Sequence, residues 1–198
     1  MISKEKITGI VLAGGNSRRF GSDKGLHPFK GRPLVKYSVE VLKPLCGKIL
    51  VSANNNIDRY KEMGYEVVQD SVKGIGPLGG ILSCLKYSET QHNLVLSCDM
   101  PFMNSSVFEL LVNSIENFQA VVPVHETFLF EPLSAYYNTN VLGDLQKSIG
   151  AGDYKVMNFL KKVRFKPVLF DKKISWYSDN VFTNINRLAD LEAFEKQS

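Results

Sequence analysis

Ile7-Thr8-Gly9-Ile10-Val11-Leu12-Ala13-Gly14-Gly15-Asn16-Ser17-Arg18-Arg19-Phe20-Gly21-Ser22-Asp23-Lys24-Gly25 sets the reading of this chain. The opening Ile7 to Leu12 is a short apolar run, the pattern of a strand buried on both faces. It stops at Gly14-Gly15, so the chain enters a loop at the carboxyl end of a strand, where open α/β sheets bind ligands. Adjacent glycines let backbone N–H groups approach a phosphate without a side chain in the way. Arg18, Arg19 and Lys24 can neutralise a polyphosphate, arginine through planar two-point contacts and lysine as a point charge. The spacing is neither that of a Walker loop nor the Gly-x-Gly-x-x-Gly dinucleotide fingerprint. A glycine turn with a solvated basic flank is the plainer alternative; three cations following a strand favour ligand binding.

Outward from this loop, strands and helices alternate. Pro33 opens a helical pattern with Leu34, Ser38, Val41 and Leu45 on one face, and Pro44 ends it. Lys48 to Ser52, Tyr65 to Val68 and Asn93 to Cys98 read as strands. Ser106-Val107-Phe108-Glu109 fits a capping box for a helix through Ile115. Gln119 to Val124 is a further strand, with Pro123 pointing to a sheet edge or a strand end. Leu133 to Tyr137 and Phe165 to Phe170 are strands, and helices cover Val141 to Ile149, Lys155 to Lys162 and Leu188 to Phe194. The alternation predicts an α/β fold: one Rossmann-like domain over residues 1–198, its mostly parallel sheet covered by helices on both faces. No repeat, low-complexity segment or linker divides it.

Two acidic residues end strands at the same edge. Asp99 suits a magnesium ligand, because Mg²⁺ takes one or two carboxylates plus phosphate oxygens and water; the alternative is an N-cap. Asp70 closes Val67-Val68-Gln69-Asp70 and fits metal binding, nucleotide binding or a turn cap equally. Between them, Gly74-Ile75-Gly76-Pro77-Leu78-Gly79-Gly80 either offers backbone to a flat base or closes a tight βα turn. His27, His92 and His125 lie outside these motifs, and no nucleophile elbow or chelating His pair occurs. The chemistry must then need no dedicated base. Attack of an existing phosphate on a nucleotide α-phosphate qualifies, because a phosphomonoester with a second pKa near ~6 is largely dianionic at neutral pH.

Composition narrows the classes. With 198 residues, 44% hydrophobic and 22% charged, the chain matches globular averages. A formal charge of +4, dispersed and without aromatic interleaving, argues against nucleic acid. No apolar run approaches the roughly 18 residues of a membrane span. Cys46, Cys84 and Cys98 lack zinc spacing. Their odd count, with no secretory segment, predicts reduced thiols and a cytoplasmic protein.

Leu12-Ala13-Gly14-Gly15, Ser17-Arg18-Arg19, Gly21, Asp23-Lys24, Gly31-x-Pro33-Leu34, Asp70, Gly76-Pro77-Leu78-x-Gly80 and Cys98-Asp99-Met100-Pro101 fall in one order. Glu131-Pro132-Leu133-x-Ala135-x-Tyr137, Val156-Met157-x-Phe159-Leu160 and Phe182-Thr183-Asn184-Ile185-Asn186 continue it. Together these motifs resemble the molybdenum cofactor guanylyltransferases over essentially the whole chain. The resemblance implies transfer of GMP from MgGTP to the terminal phosphate of molybdopterin, with release of pyrophosphate. It assigns GTP to Leu12, Ala13, Gly14, Gly15, Lys24, Asp70, Gly76, Pro77, Leu78 and Asp99, and the magnesium to Asp99. Either Ser52 or Asn54 joins the nucleotide set, depending on alignment. Arg19, Lys24 and Asp99 become the catalytic group, and Asn184 and Asn186 the molybdopterin side. A nucleotide half about 1–102 and a molybdopterin half about 103–198 follow. The implied protein is a monomer that transiently meets a molybdenum-insertion enzyme or molybdoenzyme chaperones, with no nucleic-acid or membrane partner. One departure stands out: Arg187-Leu188 replaces the family's Thr-Pro after the last asparagine. Alternatives on the same fold are a molybdopterin cytidylyltransferase or a sugar-phosphate nucleotidyltransferase. Leu12-Ala13-Gly14-Gly15, in place of the cytidylyltransferase Leu-Ala-Ala-Gly, argues for guanine. A non-catalytic nucleotide-binding module is the alternative of a different class, disfavoured by the retained Lys24 and Asp99.

Overall fold

β1 (Ile7–Leu12) is buried at every position, and its side chains divide between two cores. Ile7 and Val11 join one cluster, Ile10 and Leu12 the other. This is the period-two alternation of a strand covered on both faces, and it explains why the sequence reads as an unbroken apolar run. The structure, a computed structural model, describes residues 2–14, 23–125, 127 and 129–195, without the side chains of Leu188 and Glu195.

After β1 comes a short hairpin, β2 (Pro28–Phe29) with β3 (Arg32–Pro33), then α1 (Leu34–Leu42), β4 (Lys48–Ser52), α2 (Ile57–Glu62) and β5 (Glu66–Val68). α3 (Pro77–Tyr87), β6 (His92–Ser97), α4 (Ser105–Asn113), β7 (Ala120–His125) and β8 (Ser134–Asn138) follow. α5 (Leu142–Gly150), α6 (Val156–Leu160), β9 (Phe165–Phe170) and α7 (Leu188–Glu195) complete the order. Seven strands form one sheet in the order β5-β4-β1-β6-β8-β7-β9. Among the described residues, only β8 runs against its neighbours β6 and β7 in this sheet; every other pairing in it is parallel. α1 and α4 cover one face through Val35, Leu42, Val107, Phe108 and Leu111. α3, α5 and α6 cover the other through Ile81, Leu82, Leu145 and Phe159. The expected Rossmann-like α/β domain is the observed one.

Local details differ from the sequence reading where a neighbour competes. Pro33 belongs to the hairpin and N-caps α1 rather than filling its first turn. The buried face of α1 is Leu34, Val35, Ser38 and Leu42, because the chain leaves the helix before Leu45 can complete the row. The capping box at Ser106 does not form. α4 starts earlier, at Ser105, and the Asn104 side chain accepts from the Val107 amide at 3.3 Å. Pro123 sits inside the sheet, since β7 lies between β8 and β9. It is tolerated because the β7–β8 ladder holds only Ala120 and Val121, so no ladder bond to β8 is lost.

The corrected cap is testable. Asn104→Ala should destabilise the protein by about 1 kcal/mol, whereas Ser106→Ala should stay within about 0.5 kcal/mol. Paired urea melts would show the two midpoints clearly apart.

Candidate active site

Strand register sets the site. Leu12 lies opposite Ser52 on one side and Ser97 on the other, and Ser52 opposite Val68. Counting two residues past each aligned position reaches Gly14, Asn54, Asp70 and Asp99. Four residues that the sequence singled out separately are therefore level along one carboxyl edge. The chain runs from β1 to β4 and β5 in one direction and to β6 in the other. The gap between the β1 and β6 loops is thus a topological switch point, the favoured ligand position in such sheets.

On the β4–β5 side lies a groove of about 680 Å³, lined by Gly14, Asn54, Asn55, Asp70, Lys73, Gly74, Gly76 and Pro77. Its wall is held by Asp70. Asn54 Nδ2 donates to Asp70 Oδ2 at 2.8 Å, the Asp70 amide donates to Asn54 Oδ1 at 2.9 Å, and Ser52 Oγ donates to Asp70 Oδ1 at 3.3 Å. Ser52 is buried, and Asn54 stands in the groove wall. Gly76 has φ 69° and ψ −154°, a conformation essentially confined to glycine, and turns the chain into Pro77 at the start of α3. Gly80 is equally constrained, because a Cβ there would lie 2.6 Å from Ser52 Oγ. Leu78 is fully buried in the α3 core, so only its backbone can serve a ligand. Leu12 and Ala13 are likewise buried, and Leu12 borders a smaller adjoining cavity with Ser52, Asp70 and Gly80.

On the β6 side, Lys24 Nζ donates to Asp99 Oδ2 at 2.7 Å and to Asn186 Oδ1 at 3.2 Å. The Lys24–Asp99 pair is shielded, with side chains 13% and 16% exposed. The segment carrying Asn184 and Asn186 arrives because Ile185 and Leu191 pack with Phe29 and Leu34, and because the Ile185 amide donates to the Asp99 carbonyl at 2.8 Å. Ile185 is buried between a half-buried Asn184 and an exposed Asn186, as the alternating pattern required. Asn186 does not cap α7. The helix starts at Leu188, so Asn186 stands one residue outside the N-cap position; the Asn186 and Arg187 amides both donate to Asp190 Oδ2 at 2.8 Å, and the Asn186 side chain accepts from Lys24. Gly15 and Arg19 lie outside the described residues.

Sequence reasoning missed two neighbours. His125 stacks on Phe182 with ring centroids 4.5 Å apart, and its Nε2 lies 3.2 Å from Glu131 Oε1. The ring nitrogen is nonetheless buried without a hydrogen bond, so proximity here is not an aligned contact. Burial pushes the Glu131 carboxyl up to about 7, with the Asp99 charge adding to the rise, and burial lowers His125. Both shifts disfavour the charged forms, so burial works against an ion pair here. Glu131 stood in the sequence only as part of a motif, and nothing there tied it to Asp99.

Among the described residues, no cluster of three or more His, Cys, Asp or Glu side chains could hold a metal. Asp99 offers something different: its Oδ1 is buried with no hydrogen-bond partner. A single open carboxylate oxygen fits a hard cation that brings its remaining ligands as phosphate oxygens and water.

Residues 9–168 match the family described as MobA-like NTP transferase domain. The chain belongs to this family. A molybdenum cofactor guanylyltransferase of Cupriavidus pinatubonensis is 32% identical to it over 203 residues, covering 98% of this chain and 99% of that protein. The molybdenum cofactor guanylyltransferase of Yersinia pseudotuberculosis is 33% identical over 193 residues, 96% of each chain. The crystal structure of molybdopterin-guanine dinucleotide biosynthesis protein A from Archaeoglobus fulgidus superposes with a TM-score of 0.77 at 26% identity, covering 96% of this chain and 97% of that one. A cytidylyltransferase from Thermus thermophilus reaches 0.74 at 14% identity, covering 95% and 96%, and shares the fold. The family's nucleotidyltransferases generally use a divalent metal. No helix among the described residues is long and apolar enough to cross a membrane.

The Glu131 environment has a pH signature. A carboxyl raised from 4.5 to about 7 stabilises the fold fully below 4.5, and that contribution is lost as pH rises through about 7. Glu131→Gln cannot ionise. Its stability relative to the original protein should therefore climb across that window and then level off, measured by urea melts at intervals from pH 4.5 to 8.

Proposed function

We propose that the protein is a molybdenum cofactor guanylyltransferase, joining GMP from GTP to the terminal phosphate of molybdopterin and releasing pyrophosphate. The observation that carries this reading is Lys24 Nζ bridging Asp99 and Asn186. One ammonium group connects the phosphate loop, the strand-end carboxylate and the C-terminal Asn-x-Asn segment, beside a groove of nucleotide size. The near-full-length relatives of that name support the same chemistry.

In this mechanism the groove takes the guanine nucleoside against Gly14, Asn54, Gly76 and Pro77. Asn54 makes the side-chain contact, while Ser52 and Asp70 hold it in place. Gly14, Gly15 and Arg19 cradle the triphosphate. Asn184 and Asn186 orient molybdopterin, asparagine offering two donors and one acceptor to an edge rich in both. A phosphate oxygen of molybdopterin forms a bond to the α-phosphorus as the bond to the bridging oxygen of the β-phosphate breaks. Pyrophosphate carries the electron pair away. Lys24 and Arg19 stabilise charge accumulating on that leaving group, electrostatic catalysis by preorganised cations. The resident metal in this reading is Mg²⁺ on Asp99, which would neutralise triphosphate charge and align the α-phosphate. We further assign residues 1–102 mainly to the nucleotide and 103–198 mainly to molybdopterin. The assignment also includes a cytoplasmic monomer, in keeping with three buried, unpaired cysteines, and transient handover to molybdenum-insertion enzymes or molybdoenzyme chaperones.

Incubation with GTP, Mg²⁺ and molybdopterin, followed by mass analysis, should yield the guanine dinucleotide and pyrophosphate. Release with CTP in preference to GTP would favour the cytidylyltransferase. Asp99→Ala should lower turnover at least about 100-fold, the scale of losing one preorganised electrostatic contact, with the protein still folded and melting cooperatively, though at a lower midpoint because Lys24 loses its partner. Asn184→Ala should raise the molybdopterin requirement while GTP affinity by calorimetry stays within about threefold, under 0.7 kcal/mol. A large loss of GTP affinity in folded protein would move Asn184 to the nucleotide site.

A further inference from the structure

Lys24 needs a fixed base to aim its ammonium at Asp99, and the structure supplies one through Asp23 together with Tyr60 and Asn56, which no motif includes. Asp23 begins the short 3₁₀ turn Lys24–Leu26, its side chain accepting from the Gly25 amide at 3.1 Å. The same oxygen, Oδ1, accepts from the Tyr60 hydroxyl at 2.7 Å, and Oδ2 accepts from Asn56 Nδ2 at 3.0 Å. Tyr60 is fully buried on α2, an element with no part in the proposed chemistry. Asn56, which precedes α2, has φ 49° and ψ 33°, a left-handed conformation that asparagine tolerates better than most residues. Gly25 completes the fit: a Cβ there would lie 2.4 Å from the Tyr60 oxygen and 3.2 Å from Ala13 Cβ. The glycine after Lys24 is therefore required by the approach of the tyrosine hydroxyl.

We propose that Tyr60, acting through Asp23, is a positioning residue that holds Lys24 on the reacting phosphates, with Asn56 as its second brace. A phenol is a suitable anchor at this point. It gives one strong hydrogen bond to a carboxylate, while its ring is locked in the core and cannot follow the turn if it drifts. The inference rests on the proposed role of Lys24, and its tests separate the two.

The decisive comparison is a double-mutant cycle. Tyr60→Phe removes one oxygen and keeps the ring, so turnover should fall about 10-fold or more, equivalent to 1.4 kcal/mol, with KM for GTP changing less than threefold. In a Lys24→Ala background the same substitution should cost almost nothing further, because it would have no lysine left to position. A multiplicative loss in that background would overturn the proposal in favour of a general structural role. A second readout uses no substrate. Acetylation of Lys24 by an N-hydroxysuccinimide ester, followed by peptide mass analysis, should quicken severalfold in Tyr60→Phe and in Asn56→Gly, which keeps the left-handed backbone available. Lysines remote from the turn should label as before. Lys24 labelling at its original rate in both variants would overturn the proposal even if the protein turned out to use another substrate. Lack of product from the original protein with GTP and molybdopterin would count against the functional reading alone.

Discussion

The pairing of Leu12 with both Ser52 and Ser97 is the constraint on which this molecule depends. A parallel sheet has a side-chain period of two, so slipping any strand by one residue would turn its apolar set to the opposite face. Both faces are covered here, yet the two cores are shaped by different helices, and a slip would mismatch both. The register that satisfies the cores also brings Gly14, Asn54, Asp70 and Asp99 level at the edge. Packing and site geometry are thus one requirement. Gly80 shows how tightly they are joined: its missing Cβ leaves room for Ser52 Oγ, which in turn supports Asp70 under the groove.

At that edge the two halves of the site differ in electrostatics. Asp70 is surrounded by neutral donors from Ser52 and Asn54, which fixes a wall without supplying positive charge. Among the described residues, Asp99 is paired with Lys24 on one oxygen and leaves the other without a partner. The first arrangement suits shape recognition; the second suits a cation and phosphates. The nearby Glu131 is raised to about 7 by burial and then by Asp99, so it carries less negative charge than an exposed glutamate close to where anions would gather.

Most of the fold was legible in the sequence because its central strands are buried on both faces, which leaves continuous apolar runs such as Ile7 to Leu12 and Asn93 to Cys98. The strand-end carboxylates were legible for the same reason, since a charge directly after such a run has few other places to go. Other features were hidden by competition between local groups. Ser106 and Glu109 carry a capping-box spacing, but Asn104 reaches the Val107 amide first. Pro123 reads as an edge residue, whereas the divergence of β8 makes room for it in an inner strand. Asn186 has the composition of a helix cap, yet α7 starts at Leu188, one residue too late for it, and its side chain accepts from Lys24 instead. The link from Tyr60 to Asp23 spans 37 positions, and Glu131 approaches Asp99 through a turn after β7. Neither leaves a periodic signal along the chain.

Lys24 and Asn186 are separated by 162 residues, and the segment bearing the asparagine is held mainly by Phe29, Leu34, Ile185 and Leu191. During synthesis at roughly 5–20 residues per second, about 8–32 s pass between these two positions leaving the ribosome. The strands bearing the groove are all made before that interval or early in it, whereas the cation's second partner arrives only near its close. A growing chain can therefore acquire a nucleotide-shaped cleft well before it acquires the complete setting for its key ammonium group. Ligand capture and chemical competence are separated in time by the order of the polypeptide itself.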